Sequence, residues 1–237
     1  MHKILVTSRS FGCGESGKEL DKLFRRHGLE AEFSPLEQIG DRIEQFEGII
    51  VGTEAAGAQV FRRAKALRAI IKYGAGTDNI DSQAARQGGI RVLSLPGINS
   101  DTVAEMALGL MFALARKIAA GDRALRREKA DRPLGQPVCG KILGVIGTGA
   151  VGTALVRMVS GLAMEVLAYD IRKNPDLVDL GVRYLPMLEN TVCTPHIAAY
   201  TGETLRKMDE ACLSALSETL EAGREEARQK DKYRGGR

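Results

Sequence analysis

The stretch Gly147-Thr148-Gly149-Ala150-Val151-Gly152 constrains this chain more than any other, because three glycines at this spacing serve a backbone geometry closed to bulkier residues. It follows an apolar run at 142–146 that reads as a strand and opens a helix extending to about residue 160. A second strand, 165–169, ends at Asp170, 18 residues past Gly152. In such a unit Gly147 makes the tight turn, Gly149 admits a pyrophosphate close to the backbone, and Gly152 lets helix and strand pack. The helix N-terminus offers its N–H groups to the phosphates. Ala150 and Val151 fall between the glycines at that N-terminus. Asp170 stands where an acceptor for the adenosine ribose hydroxyls belongs, and its charge opposes a 2′-phosphate, which favours NAD over NADP. Arg172, two residues on, brings the opposite charge, and the same turn also serves a strand-to-helix junction with no ligand.

The first hundred residues alternate apolar runs at 3–7, 48–52, 69–73 and 90–93 with amphipathic stretches. That pattern predicts an α/β domain with a mostly parallel sheet. Leu95-Pro96-Gly97 punctuates the chain, and Asn99 or Ser100 can cap a helix expected over about 102–120. Its residues Ala104, Met106, Ala107, Leu108, Leu110, Met111, Ala113, Leu114 and Ala115 leave little polar face, so it is expected to be buried between layers or between subunits. A brief strand at 182–185 and a final helix at about 202–222 complete the pattern, and 223–237 reads as a flexible tail.

Charge and composition narrow the partners. Four cysteines stand far apart with three histidines, so neither a disulfide framework nor a metal site is indicated, and a reducing, cytoplasmic setting is expected. No apolar run approaches the ~20 residues of a membrane span. The formal charge of +4 suits an anionic ligand. Its basic clusters at 116–132 and 224–237 are interleaved with acids and lack the aromatics of a nucleic-acid surface, so no nucleic acid is expected. Gly12-Cys13-Gly14-Glu15-Ser16-Gly17-Lys18 imitates a phosphate-binding loop. Glu19 stands where that loop needs a hydroxyl for magnesium, so a Gly-rich helix start is expected instead.

Three further segments together resemble the D-isomer-specific 2-hydroxyacid dehydrogenase family, its phosphoglycerate dehydrogenase branch in particular. Lys72-Tyr73-Gly74-Ala75-Gly76-Thr77-Asp78-Asn79-Ile80-Asp81 is similar to the family's substrate loop. Asn99-Ser100-Asp101-Thr102-Val103-Ala104-Glu105 is similar to the start of its domain-crossing helix, and Thr194-Pro195-His196-Ile197-Ala198-Ala199-Tyr200-Thr201 resembles its catalytic histidine motif. The resemblance implies a flavodoxin-like substrate domain, residues 1–98 with 197–222, and a Rossmann NAD-binding domain, residues 99–196. It implies a small 2-hydroxy or 2-oxo acid, 3-phosphoglycerate-like, whose carboxylate sits on a backbone nest at Ala75 and Gly76, with a contact from Lys72. Gly147, Gly149, Ala150, Val151, Gly152 and Asp170 match cofactor contacts. His196 matches the general acid/base, a task suited to a side chain titrating near neutrality. The family's homodimer, made by the cofactor domain and crossing helix, is compatible with the apolar stretch 103–115.

The chain departs from the family between Asn190 and Thr191. The family's Asn-x-Ala-Arg-Gly stretch, which carries an arginine, and its Asp-Val-Phe stretch, which precedes a carboxylate, have no counterpart here. Three strand–helix units, on the order of 80 residues, are missing by that comparison. The expectation is a truncated Rossmann domain that keeps the adenosine half of its crevice, leaves 142–146 as an edge unless 191–194 covers it, and transfers hydride poorly. A non-catalytic NAD-binding or subunit-pairing remnant is the alternative.

Overall fold

The mostly apolar runs of the first hundred residues suit a sheet covered on both faces, and the computed structural model, which describes residues 1–127, 132–186 and 202–234, has one. The chain divides into two compact units, Met1–Ile98 with Thr201–Arg237, and Asn99–Tyr200. In the first, strands β1 (His2–Val6), β2 (Leu29–Phe33), β3 (Gly48–Val51), β4 (Ala69–Lys72) and β5 (Arg91–Leu93) form one parallel sheet in the order β2-β1-β3-β4-β5. This is the flavodoxin-like order, with its reversal between β1 and β3. β2 is absent from the apolar runs because its sequence, Leu-Glu-Ala-Glu-Phe, alternates charge with small or apolar residues, as an edge strand tolerates.

Successive side chains of each strand point to opposite faces, and the core divides accordingly. On one face Ile4, Val6, Ile50 and Ile71 pack with Phe24 of helix α1 (Gly17–Arg26) and with Leu213, Leu216 and Leu220 of the last helix. On the other, Leu5, Ile49, Val51 and Ile70 pack with Phe61 of α2 (Ala58–Arg63) and Ala85 of α3 (Ser82–Gln87). The imitation phosphate loop is filled by the protein's own carboxylates. Ser16 caps α1 in a reciprocal box with Glu19, whose Oε2 accepts from the Ser16 N–H at 3.1 Å, and the Gly12 N–H donates to Asp209 Oδ2 at 2.9 Å.

The second unit begins with α4 (Ser100–Ala115) and α5 (Ile118–Arg126), continues through β6 (Ile142–Ile146), α6 (Ala150–Val159), β7 (Glu165–Tyr169), α7 (Pro175–Asp179) and β8 (Arg183–Tyr184), and forms a parallel sheet β6-β7-β8. The single helix expected over 102–120 is broken, because Lys117 adopts the left-handed conformation at φ 57° and restarts the helix at Ile118. Nor is α4 buried all round. Its Leu108 and Met111 join the core of Val145, Val156, Val159 and Val166, whereas Met106, Leu110 and Leu114 lie exposed at one-turn intervals. Among the described residues the sheet is covered on that core face only. Register pairs Leu143 with Val166 and Val145 with Ala168 inward, while Ile142 and Ile146 on the opposite face are 63% and 59% exposed. Among the described residues β6 pairs with β7 alone, and 191–194 lie outside them. The last helix, α8 (Gly202–Arg234), continues past residue 222 as far as Arg234, over the described part of the segment 223–237 expected to be a flexible tail. Residues 224–234 are mostly Glu, Ala, Arg, Gln and Lys, strong helix formers that a single Gly223 does not interrupt.

Asp209 of α8 is 1% exposed and anchors that helix to the sheet. Besides the Gly12 N–H, it faces the Tyr73 hydroxyl at 2.5 Å, and the same hydroxyl lies 2.9 Å from the Leu205 carbonyl. The phenol donates its one proton toward Asp209 Oδ1, with the Leu205 carbonyl as a second acceptor beside it. Burial, with a smaller contribution from the charge of Glu15, pushes the Asp209 carboxyl up to about 6 against the opposing pull of its hydrogen bonds from Tyr73 and Gly12. A raised folded-state pKa means that the native state holds the extra proton. Its stability contribution is therefore complete below the unfolded value and is lost as pH rises through about 6. We expect Asp209→Asn to gain stability relative to the parent between pH 4 and pH 7, by up to about 3 kcal/mol, in urea titrations at the two pH values. An equal difference at both would refute the assignment.

Candidate functional site

The Gly-rich turn joins β6 to α6 through contacts that only its glycines permit. Gly147 sits at φ +89° and its N–H donates to the Tyr169 carbonyl at 2.8 Å, tying the turn to the end of β7. A Cβ on Gly152 would lie 2.1 Å from the Gly147 carbonyl oxygen, so a side chain there would force turn and helix apart. Around Gly149, by contrast, a Cβ would meet nothing within 4 Å, which leaves that backbone open to a ligand. Gly149 caps α6 without a side-chain hydrogen bond. Ala150 is exposed and Val151 partly buried in its first turn. An exposed turn with uncapped helical N–H groups has the donor chemistry a pyrophosphate requires.

A cavity of about 640 Å³ opens at this turn, lined by Thr148, Gly149 and Ala150 together with Asp101, Thr153, Arg157 and Asn174. Asp170, at the end of β7, lies beside it in the sense that its Oδ2 accepts from Thr148, from the N–H at 2.5 Å and from the hydroxyl at 3.1 Å. Its Oδ1 accepts from the Arg172 N–H at 3.0 Å. The backbone donors of Arg172 and Thr148, with the Thr148 hydroxyl, hold the carboxyl below its ordinary range, so Asp170 is an anion at neutral pH.

In the other unit, Ala75 and Gly76 are exposed in the loop that follows β4. Lys72 is held inside that loop's frame. Its Nζ donates to the Gly52 carbonyl at 2.6 Å and to Asn79 Oδ1 at 2.8 Å, and Asn79 Nδ2 in turn donates to the carbonyls of Gly52 and Glu54. Burial lowers the Lys72 pKa, opposed by the charges of Glu54 and Asp78. The loop is thereby fastened to the carboxyl end of β3, beside the β1/β3 reversal where ligands of this topology bind.

The sequence model of the D-isomer specific 2-hydroxyacid dehydrogenase catalytic domain matches residues 9–228. This chain belongs to that family. Glyoxylate reductase of Korarchaeum cryptofilum is 34% identical over 190 residues, covering 76% of this chain and 57% of that protein. D-3-phosphoglycerate dehydrogenase of Archaeoglobus fulgidus is 36% identical over 192 residues, covering 76% and 36%. The chain thus spans well under two thirds of either relative. Among solved structures, the apo form of D-lactate dehydrogenase from Escherichia coli superposes with a TM-score of 0.67 at 27% identity, covering 78% of this chain and 60% of that one. D-Lactate dehydrogenase from Aquifex aeolicus, complexed with NAD and lactic acid, shares the fold at TM-score 0.68 and 20% identity.

For this member of the 2-hydroxyacid dehydrogenases the structure brings Gly147, Gly149, Ala150, Val151, Gly152 and Asp170 together at one turn, while His196 lies outside the described residues. Thr148, Asn174 and Tyr184 were not legible as site residues. Thr148 occupies a position the Gly pattern leaves open, and only the fold brings Asn174 and Tyr184 to it. The Asn174-Pro175 pair did carry a signal, that of a capped helix start, and Asn174 Oδ1 accepts from the Asp176 N–H at 3.1 Å. Gly152→Ala should destabilise this unit by about 1–3 kcal/mol, seen as faster hydrogen exchange of the α6 amides; unchanged protection would contradict the close approach.

Proposed function

We propose that this chain binds NAD at the α6 N-terminus and descends from enzymes that oxidise or reduce a small 2-hydroxy or 2-oxo acid, with little hydride transfer of its own. The observation that carries this reading is the 640 Å³ cavity lined by the open Gly149 backbone, with the ionised Asp170 locked to the Thr148 that lines it. Asp170 then receives ribose hydroxyls and repels a 2′-phosphate, and the α6 N–H groups bind the pyrophosphate. NAD, when bound, supplies the hydride acceptor. In this reading residues 99–196 are the cofactor domain and residues 1–98 with 197–222 the substrate domain. The Ala75–Gly76 backbone holds the substrate carboxylate, which 3-phosphoglycerate would suit, and His196 exchanges the proton on its oxygen.

Weak turnover follows from two features. The family's arginine and carboxylate motifs have no counterpart in the sequence, and removing one preorganised donor at a developing oxyanion commonly costs ~100- to 1,000-fold in rate. Among the described residues one face of the β6-β7-β8 sheet is open, with Ile142 and Ile146 exposed, which agrees with a Rossmann domain that retains its adenosine half. The same openness favours the second reading, a non-catalytic NAD-binding or subunit-pairing protein. Subunit pairing would use the exposed Met106, Leu110 and Leu114 of α4 in a homodimer.

Calorimetric titration of the full chain should give similar, weak affinities for NADH and ADP-ribose. A large gain from the nicotinamide would mean that its pocket is intact and overturn the proposed loss. Reduction of NAD by a panel of 2-hydroxy acids, followed by absorbance, should run at least ~100-fold below a full-length relative. Leu110→Glu should shift a dimer to monomer in sedimentation; a chain that is monomeric before the substitution removes the homodimer.

A further inference from the structure

The hydrogen bonds behind Asp170 form a chain whose direction is set at its far end. The Asn174 backbone N–H, which can only donate, gives its proton to Tyr184 Oη at 3.0 Å. Tyr184 is thereby filled as an acceptor from that side, and its own hydroxyl donates to Thr148 Oγ1 at 2.9 Å. Thr148 then has one proton left, and it donates to Asp170 Oδ2 at 3.1 Å. The Thr148 N–H reaches the same oxygen at 2.5 Å, so one residue grips Oδ2 twice, and the carboxylate cannot turn without breaking both bonds. Thr148 is 3% exposed, so water has little access to replace its hydroxyl in this role. Asn174 is fixed in turn, since its Nδ2 donates to Thr153 Oγ1 at 2.9 Å. With Oδ2 taken up by Thr148, the acceptor capacity left for a ribose hydroxyl lies on Oδ1, beside the bond it already accepts from the Arg172 N–H.

We propose that Thr148, oriented by Tyr184, is a positioning residue that holds the Asp170 carboxylate where it separates a free ribose 2′-hydroxyl from a 2′-phosphate. This rests on the dinucleotide reading above and adds to it two residues that the Gly pattern does not specify. A chain of donors ending on a carboxylate favours its ionised form, the form that repels phosphate, and the lowered Asp170 pKa agrees. Thr148→Val keeps the backbone N–H and the side-chain shape while removing the hydroxyl, and Tyr184→Phe removes only the group that directs it.

The test is titration of the full chain and its variants with ADP-ribose and with 2′-phospho-ADP-ribose, reading the ratio of the two dissociation constants. Lost packing weakens both ligands together and leaves the ratio in place, whereas a misplaced carboxylate changes it. We expect the parent to favour ADP-ribose by at least roughly tenfold, Thr148→Val and Tyr184→Phe to remove most of that preference, Thr148→Ser to restore it, and Asp170→Asn to abolish it. If Asp170→Asn loses the preference while Thr148→Val and Tyr184→Phe keep it, the positioning role is overturned and the dinucleotide site stands. A parent that binds both ligands equally also overturns it, and a parent that binds neither overturns the role and the dinucleotide reading together. Should Thr148→Val fail to fold, Tyr184→Phe with the Thr148→Ser rescue decides the matter.

Discussion

The approach of α6 to its own turn, in which any side chain on Gly152 would collide with the Gly147 carbonyl, is the constraint on which the second unit depends. It sets the angle at which the helix leaves β6, and so brings Val156 and Val159 onto Val145 and Val166. The same angle exposes the Gly149 backbone and the first helical N–H groups on the outer side. Packing and binding surface thus come from one contact, which is why the region most specific in sequence is also the one nearest the cavity. The Gly147 N–H bond to Tyr169 ties this turn to β7, and Asp170, the next residue along the chain, reaches back to Thr148.

The first unit is held differently. Its central strands are buried on both faces, and no single contact decides its shape. The polar tie that does matter is Asp209, which joins the loop after β1, the end of β4 and α8 through Gly12 and Tyr73. A buried carboxyl in that place serves as an internal acceptor for a Gly-rich loop, so the Gly12 N–H, like the Ser16 N–H bonded to Glu19, is already taken. The two Gly-rich turns of this chain therefore differ in what their carboxylates leave: Asp209 and Glu19 take the Gly12 and Ser16 N–H groups, whereas Asp170 takes the Thr148 N–H and the Gly149 backbone stays open.

Much of this was readable from residue order. Apolar runs located β1, β3 and β4, because central parallel strands must be hydrophobic on both faces, and the same signal located β5, β6 and β7. β2 escaped, since Glu30 and Glu32 are tolerated only at a sheet edge, and edge position is a property of topology. The break at Lys117 escaped as well, because a left-handed lysine leaves no mark in the apolar pattern. At the site, Gly147, Gly149, Gly152 and Asp170 were legible since their task fixes their spacing. Thr148 and Tyr184 were not: their bond spans 36 positions along the chain and exists only once β8 is laid beside β7.

By itself the sequence determined the α/β class, the family, the Gly-rich turn and the acid at the end of the next strand, because local backbone geometry and periodic burial admit few residue types. Only the tertiary structure decided that, among the described residues, one face of the β6-β7-β8 sheet lies open, that Asp209 bonds the Gly12 loop, and that a directed row of hydroxyls grips Asp170. Those depend on which distant segments meet in space, and a hydrogen bond between remote residues places no periodic demand on the chain between them.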